Sequence, residues 1–497
     1  MAEVTEGHRR YRHWNIRDFT AGYMDGIEEN LMAENASKNC KNVISRYVGS
    51  LSSRRGQEVL NGTDLIGFIQ GLYSYHFKDE GVLKKYLMVV HNGEIGYWDF
   101  DLDSFSQVED GYDAQAPMLF ETTVNYLVGM NGIEAPWKWD GESFSALDNA
   151  PSKGRLPVLH KEKLFCVDAS EPSTVRFSDS FKPEEWPGVF YWDINKGDGD
   201  EIVCLKKFIG ELIIFKKRST HTLKGVSIED MQLQELDNKI GAVGPRAVTQ
   251  YKNHLYFVSD KGIYQFNGIK FNNISSFIIP QLWDRVNKNS LSQAAVGVWD
   301  ELIWFALPID DSTANNMVLI YDLSHGAEQG SWWPWDGIDI SCFVTWVEDE
   351  TLVLYTGHPS DGKIVQQYVG DTDVGFEVEP QAVNAYWESK YFDFDAAGTE
   401  KKTKRAFVEV MPGEDTENPL LKASQDYQDY EDLVLERKDA LVKQYRFINR
   451  ERWRYLSVRF EETEPGGFVV RGILVPFKPK AKPKVRGGFL ELEGGSE

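Results

Sequence analysis

Clustered carboxylates are the first residues in this chain whose types and spacing suggest chemistry. Residues 99–105 (DFDLDSF), 197–201 (GDGDE) and 370–375 (GDTDVG) set acids close together, an oxygen-rich pattern suited to a hard cation. None has the run of spaced ligands and closing Glu of a full calcium loop, so solvated turns are expected. Asp179, Glu184, Asp193 and Asp200 share the segment 177–200. Glycoside hydrolysis needs two such carboxyls about 5 to 9 Å apart across a cleft. In a chain with 77 acids, four in one loop single out neither a proton donor nor a nucleophile.

The nine histidines form no HExxH, and the close pair His8 and His13 sits in a basic cluster with Arg9, Arg10 and Arg12. That cluster suits an acidic protein or phosphate, or simply an exposed arm. No GxGxxG follows a strand pattern, no phosphate loop ending in GK[ST] occurs, and GPR at 244–246 reads as a turn. The short basic runs LKKF (205–208) and FKKRST (215–220) stand in an acidic chain and are weak candidates for DNA contact. SWWPWDG (331–337) places Trp332, Trp333 and Trp335 around Pro334, a cluster suited to core packing, a protein interface or sugar stacking. No catalytic residue, metal ligand or cofactor is expected. The proposed interface or channel contacts are Arg10, Arg12, Arg55, Trp332, Trp333 and Trp335.

The elements that must position these residues repeat. Hydrophobic strand cores begin at Tyr86, Tyr126, Leu164, Leu212, Leu255, Leu302 and Leu352, spaced by 40, 38, 48, 43, 47 and 50 residues. That is the period of a four-stranded propeller blade. Alternating strands with turns such as HNGE (91–94) and SDKG (259–262) support the reading. The expected fold is all-β: a propeller over 58–375, seven-bladed with six as the alternative, and a β-sandwich-like domain over 376–478. Residues 1–57 read as an extended or partly helical arm, with Leu31, Ala36, Cys40, Val43 and Ile44 compatible with one helix face. Residues 277–290 form the best helical insertion, 414–438 a charged loop or helix, and 479–497 a flexible charged tail, whose FLELE could instead add a strand to another chain.

The net charge of −23 argues against a sequence-specific DNA reader and is compatible equally with solubility or with a passage along which DNA slides. Four widely spaced cysteines read as buried free thiols of a reducing compartment. Neither a membrane-spanning run nor an apolar secretory leader is visible in the sequence.

Residues 29–57, with Asn39, Asn42, Gly49, Arg55 and Gly56, together with 240–268, 274–287, 387–410 and 454–462, carry a family resemblance. The chain resembles the propeller-bearing tail nozzle or hub proteins of short-tailed bacteriophages, head–tail structural proteins. The resemblance implies a virion tail protein assembled in the host cytoplasm. It would form a homohexameric ring with portal or adaptor and other tail proteins. That ring would extend the channel, retain packaged double-stranded DNA without sequence preference and permit its ejection. The arm would serve assembly, so its removal is expected to weaken assembly more than folding. The alternative is a non-catalytic propeller adhesin or interaction module binding host glycan or protein. A carbohydrate-active enzyme would require clustered acids in a central cleft.

Overall fold

The computed structural model describes the chain except residues 1–4, 8–10, 63–64, 80, 124–125, 326–329, 349, 397, 411–419, 439–441, 448–451, 464–465 and 481–497. It is almost entirely β, built from small antiparallel sheets followed by two larger ones. Seven sheets have four strands each. Their first strands are Ile69–Asp79, Leu119–Thr122, Gly154–His160, Ile202–Phe208, Val248–Tyr251, Ala295–Trp299 and Cys342–Glu348, which open sheets 1 to 7 in chain order.

The second strands of these sheets are Val82–His91, Leu127–Met130, Lys163–Asp168, Glu211–Lys216, His254–Ser259, Leu302–Leu307 and Thr351–Gly357. The seven hydrophobic cores expected from the sequence fall on or beside these strands. They are flanked on both sides within their sheets, which is why their apolar runs are the most continuous. Tight turns join them: Asn92 (φ 46°) and Gly93 (φ 80°) carry the chain from His91 to Glu94. A Cβ on Gly93 would lie 2.0 Å from the Tyr112 carbonyl oxygen, so that turn admits only glycine.

Sheet 7 is completed from the other end of the chain: Gln57–Val59 pairs antiparallel with Ile364–Gln367. The first strand of each sheet lies against the first strand of the next, and that of sheet 7 against that of sheet 1. Buried side chains fill the spaces between successive sheets, as with Phe215 of sheet 4 against Phe257 of sheet 5 (ring centroids 5.1 Å apart).

A nine-stranded sheet runs Thr5–Gly7, Tyr11–Ile16, Val469–Pro479, Arg405–Val410, Val442–Arg446 and Val434–Lys438, with Val43–Ile44, Leu51–Ser53 and Lys401–Thr403 attached. A six-stranded sheet runs Gly22–Tyr23, Ala36–Lys41, Ala385–Ser389, Leu456–Glu462, Leu420–Gln425 and Glu431–Asp432. Both contribute to one core, in which Trp387 and Phe460 of the six-stranded sheet join Val408, Ile473 and Phe477 of the nine-stranded one.

Three sequence expectations are corrected. The arm takes the extended alternative, not the partly helical one: Ala36–Lys41 is a strand paired with Ala385–Ser389, because distant partners satisfy a backbone whose Asn and Ser residues favour helix weakly. It is integral to the larger sheets and to sheet 7, so its removal would strip strands from the fold rather than detach an assembly handle. The described part of 414–438 holds the strands Leu420–Gln425, Glu431–Asp432 and Val434–Lys438 with a turn between the first two.

The helix expected within 277–290 is confined to Pro280–Asp284. Its proline sits in the first turn, and Asp25 accepts the Gln281 and Leu282 amides at 3.1 and 2.7 Å. It stops there because Val286 bridges to Ile309. All four cysteines are buried free thiols. Among the described residues no helix is long and apolar enough to cross a membrane.

Candidate functional site: the tryptophan seam, the Arg54 clasp and the seven-sheet cavity

SWWPWD is the last strand of sheet 6, Ser331–Asp336, and alternation sends its tryptophans to two sides. Trp332 packs on Tyr321 (4.6 Å) and Phe305 (5.8 Å). Trp333 and Trp335 enter the core shared with Val43, Ile44 and Trp387, and Trp335 meets Trp304 edge-on at 5.1 Å. The three residues are 2%, 0% and 1% exposed. Their indole N–H groups donate to Ile274 O, Ser331 Oγ and Val43 O. They are therefore core residues, one of the readings the sequence left open, and not the interface contacts also proposed for them. The same apolar area is consumed inside this one, sealing sheet 6 against the arm. Pro334 is tolerated because the strand is an edge, and its carbonyl accepts the Asn42 amide at 3.0 Å.

Asn42 and Arg54 clasp this seam. Buried Asn42, held at φ 55°, donates to Asp336 Oδ1 (2.7 Å) and Asn384 O (2.9 Å), and its Oδ1 accepts from the Asp336 amide (2.8 Å) and Arg54 Nε (3.3 Å). Arg54, 2% exposed, forks onto Asp373 with bonds of 3.0 and 2.8 Å and also donates to the Arg55 and Asp336 carbonyls. Gly56 follows, where a Cβ would lie 1.9 Å from Thr372 O.

Of the expected arginines, Arg55 is exposed, with Nε donating to Gly370 O at 3.4 Å. Arg12 is half-buried in the strand Tyr11–Ile16, opposite Phe477. Arg10 lies outside the described residues. The structure thus buries all three tryptophans, Trp333 and Trp335 in one core and Trp332 in another, while Arg55 is exposed and Arg12 lies in a different sheet. Sequence reasoning missed Arg54. In an RRG run no periodicity distinguishes the inward arginine from the outward one.

Two acidic turns turn out to be ion-pair partners rather than solvated loops. Asp373 holds Arg54, and Asp198 holds Lys216 at 2.8 and 2.6 Å, with the Lys216 side chain wholly buried. Asp99 caps its own turn, accepting the Asp101 and Leu102 amides. The four acids of 177–200 are separately engaged. Asp179 and Glu184 meet Lys182 and Lys138, Asp193 accepts from Thr174, and Asp200 accepts the Lys217 and Arg218 amides. Among the described residues no group of three or more His, Cys, Asp or Glu is arranged to hold a metal ion.

A cavity of about 460 Å³ is lined by the first strands of all seven sheets. Arg246, half-buried on the connection into sheet 5, crosses it to donate to the Ser341 carbonyl (3.2 Å), the Met118 carbonyl (3.3 Å) and the Gln70 carbonyl. One side chain thus joins sheet 5 to the entries of sheets 7, 2 and 1. Gln70 is itself fixed, its amide donating to Asp113 O and Ala116 O while its Oε1 accepts the Gly93 amide.

The cavity's other charged lining residues are Glu121, Lys206 and Lys207. Burial raises the Glu121 carboxyl above its ordinary pKa, opposed by Lys207 at 3.6 Å. Burial lowers the Arg246 guanidinium. Sequence reasoning took GPR for a turn. Its backbone is one, but the side chain reaches across the cavity, a long-range placement without a local signature.

No family model matches the chain, and no curated protein matches it.

Proposed function

We propose that this chain is a structural virion protein of a short-tailed bacteriophage, a nozzle or hub subunit. In this reading the seven small sheets are blades of a seven-bladed propeller and the two larger sheets form a flanking sandwich. Copies assemble as a sixfold ring below the portal or adaptor, extending the path of the DNA. The observation that carries the reading is the role of the Asn42–Gly56 segment, which carries part of the family resemblance. It clasps the tryptophan seam and delivers Gln57–Val59 as the last strand of sheet 7. A ring of sheets closed by a strand from the opposite end of the repeat array resists opening at its weakest joint. Such a rigid body suits a part that must transmit load during ejection. The surplus of acids supports passage of DNA with little adhesion.

A second reading, a glycan- or protein-binding module, draws on a cavity of about 160 Å³ beside the arm. Tyr391 and Tyr427 lie 4.1 Å apart there, with Tyr455 and Asp393 in the wall. The deciding measurement is the mass and symmetry of the purified protein, alone and mixed with portal or adaptor rings, by light scattering and electron microscopy. A ring that docks coaxially is the expected result. A persistent monomer that docks to neither, yet retains a glycan, would overturn the nozzle reading. A narrow, basic lumen in the ring would overturn its low-adhesion part.

A further inference from the structure

We propose that the cavity beside the arm docks the chain's own basic segment 482–486, with a lysine ammonium resting on Tyr427 and paired with Asp393 and Asp395. The inference goes beyond the nozzle reading and does not depend on it. It starts from how this wall already treats a cation. Lys38 lies over the Tyr391 ring, 4.0 Å from its centroid, with Glu29 3.5 Å from the ammonium. Tyr427 packs on Tyr391 with centroids 4.1 Å apart, and Tyr455 follows at 5.7 Å. Tyr427 is 62% exposed, so a stack that begins with a seated lysine ends in an open ring. An ammonium over a tyrosine gains from the negative face of the ring, and a carboxylate alongside adds to that.

The acids beside the open ring are not consumed by the fold. Asp393 and Asp395 line the cavity, and neither forms an ion pair among the described residues. Asp393 accepts only the Asp395 amide, at 3.1 Å. The cations nearby are engaged elsewhere. Lys390 donates to Met32 O at 2.7 Å. Lys401, whose charge Asp393 does feel, donates to the Ala396, Thr399 and Arg454 carbonyls at 3.0, 3.1 and 2.8 Å. A volume of about 160 Å³ is roughly five waters' share of liquid, room for the end of one lysine side chain.

The chain supplies such side chains close by. Residues 478–486 read KPKAKPKVR, five cations and no acid among nine residues of a chain whose net charge is −23. The last described strand ends beside the cavity. The Phe477 ring is 4.9 Å from that of Phe394 in the cavity wall. Pro479 pairs with Lys401, whose ammonium reaches Ala396, the neighbour of Asp395. Lys480 is tied down there, its amide donating to Glu400 O at 2.8 Å. Lys484 is four residues farther on, a reach of up to about 14 Å before its own side chain is counted. So short a tether holds its end at an effective concentration on the order of millimolar, which favours the chain's own segment over that of a second copy.

The test is limited proteolysis of the full chain with trypsin at low ionic strength, the released C-terminal peptide being followed by mass spectrometry. Trypsin cuts after Lys484 and Arg486, whereas Lys482 is shielded by Pro483. A synthetic peptide of residues 478–490, digested in parallel, gives the rate for an undocked segment and corrects for salt effects on the protease. The wild type is expected to be cut about tenfold more slowly than the peptide, independently of protein concentration, with the protection lost at about 1 M salt. Tyr427→Ala, at an exposed position, should speed cleavage about fivefold. Asp395→Asn keeps a residue type that tolerates the φ of 54° and should speed it about threefold. Wild type cut as fast as the peptide, or both variants protected as well as wild type, overturns the proposal. So does protection that appears only as protein concentration rises, since the segment would then come from a second copy.

Discussion

Replacing Arg54 with Met keeps most of the aliphatic stem and deletes the fork that holds Asp373. Arg54 is 2% exposed, and the Asp373 side chain retains 14% of its surface, so the carboxylate left behind is largely cut off from water. Removing one partner of a buried ion pair costs about 3 to 5 kcal/mol, and the residual solvent access of Asp373 places this pair at the lower end, about 3 kcal/mol. Arg54→Lys should recover less than half of that. An ammonium is a single point donor and cannot reproduce two parallel bonds of 3.0 and 2.8 Å.

The assay is urea unfolding followed by tryptophan fluorescence, which reports on the seam directly because Trp333 and Trp335 share its core. A double-mutant cycle with Asp373→Asn isolates the pair, and a coupling of about 2 kcal/mol or more is expected for residues in direct contact. Additive single substitutions, or a loss below about 1 kcal/mol, would mean that the pair behaves as an exposed one, and the clasp argument would be refuted.

Acid should destabilise the seven-sheet array. Burial lowers the pKa of His160 to about 4, and also lowers those of His91 and His221. The unfolded chain then binds more protons than the folded one between about pH 6.5 and 4, so stability falls as pH drops through that window. For His160 alone the loss approaches about 3 kcal/mol below pH 4, and a His160→Phe variant should show a flatter dependence of urea midpoint on pH. Trp335→Ala should cost about 3 to 5 kcal/mol, since it opens a cavity in a 1% exposed site and strands the Val43 carbonyl, which chemical denaturation at pH 7 would measure.

The second strands were the most legible part of this fold. Leu302–Leu307 is buried at every position, and Lys163–Asp168 at all but the last, so their apolar runs stand out from the surrounding turns. First strands were harder to see: Leu119–Thr122 (LFET) is only half-buried throughout and lines a cavity, so it mixes apolar and charged residues. Fourth strands such as Tyr191–Asp193 are short and largely exposed, leaving almost no pattern. The arm's strand pairing escaped altogether. Its residues find their partners across more than 300 positions of sequence, as Ser37 does when its hydroxyl donates to Glu388 O, and no local period records such pairing.

The tryptophans show the same limit from the other side. Their residue types announced a large apolar surface, and the sequence could not say whether that surface was offered outward or consumed within.

The cavity also constrains how a nozzle made from this chain would conduct DNA. Arg246 spans the opening among the seven first strands, and the space of about 460 Å³ holds only about fifteen waters, so a duplex cannot run through one subunit's sheets. In a ring the passage must lie between copies, lined by the outward faces of sheets and turns. Asp101, Asp103, Glu109 and Asp110 are exposed along the outer edge of sheet 1. The cationic residues Arg246 and Lys206 line the cavity instead, where a passing duplex would not meet them. Where such acids line the passage they would repel phosphate and shorten each encounter.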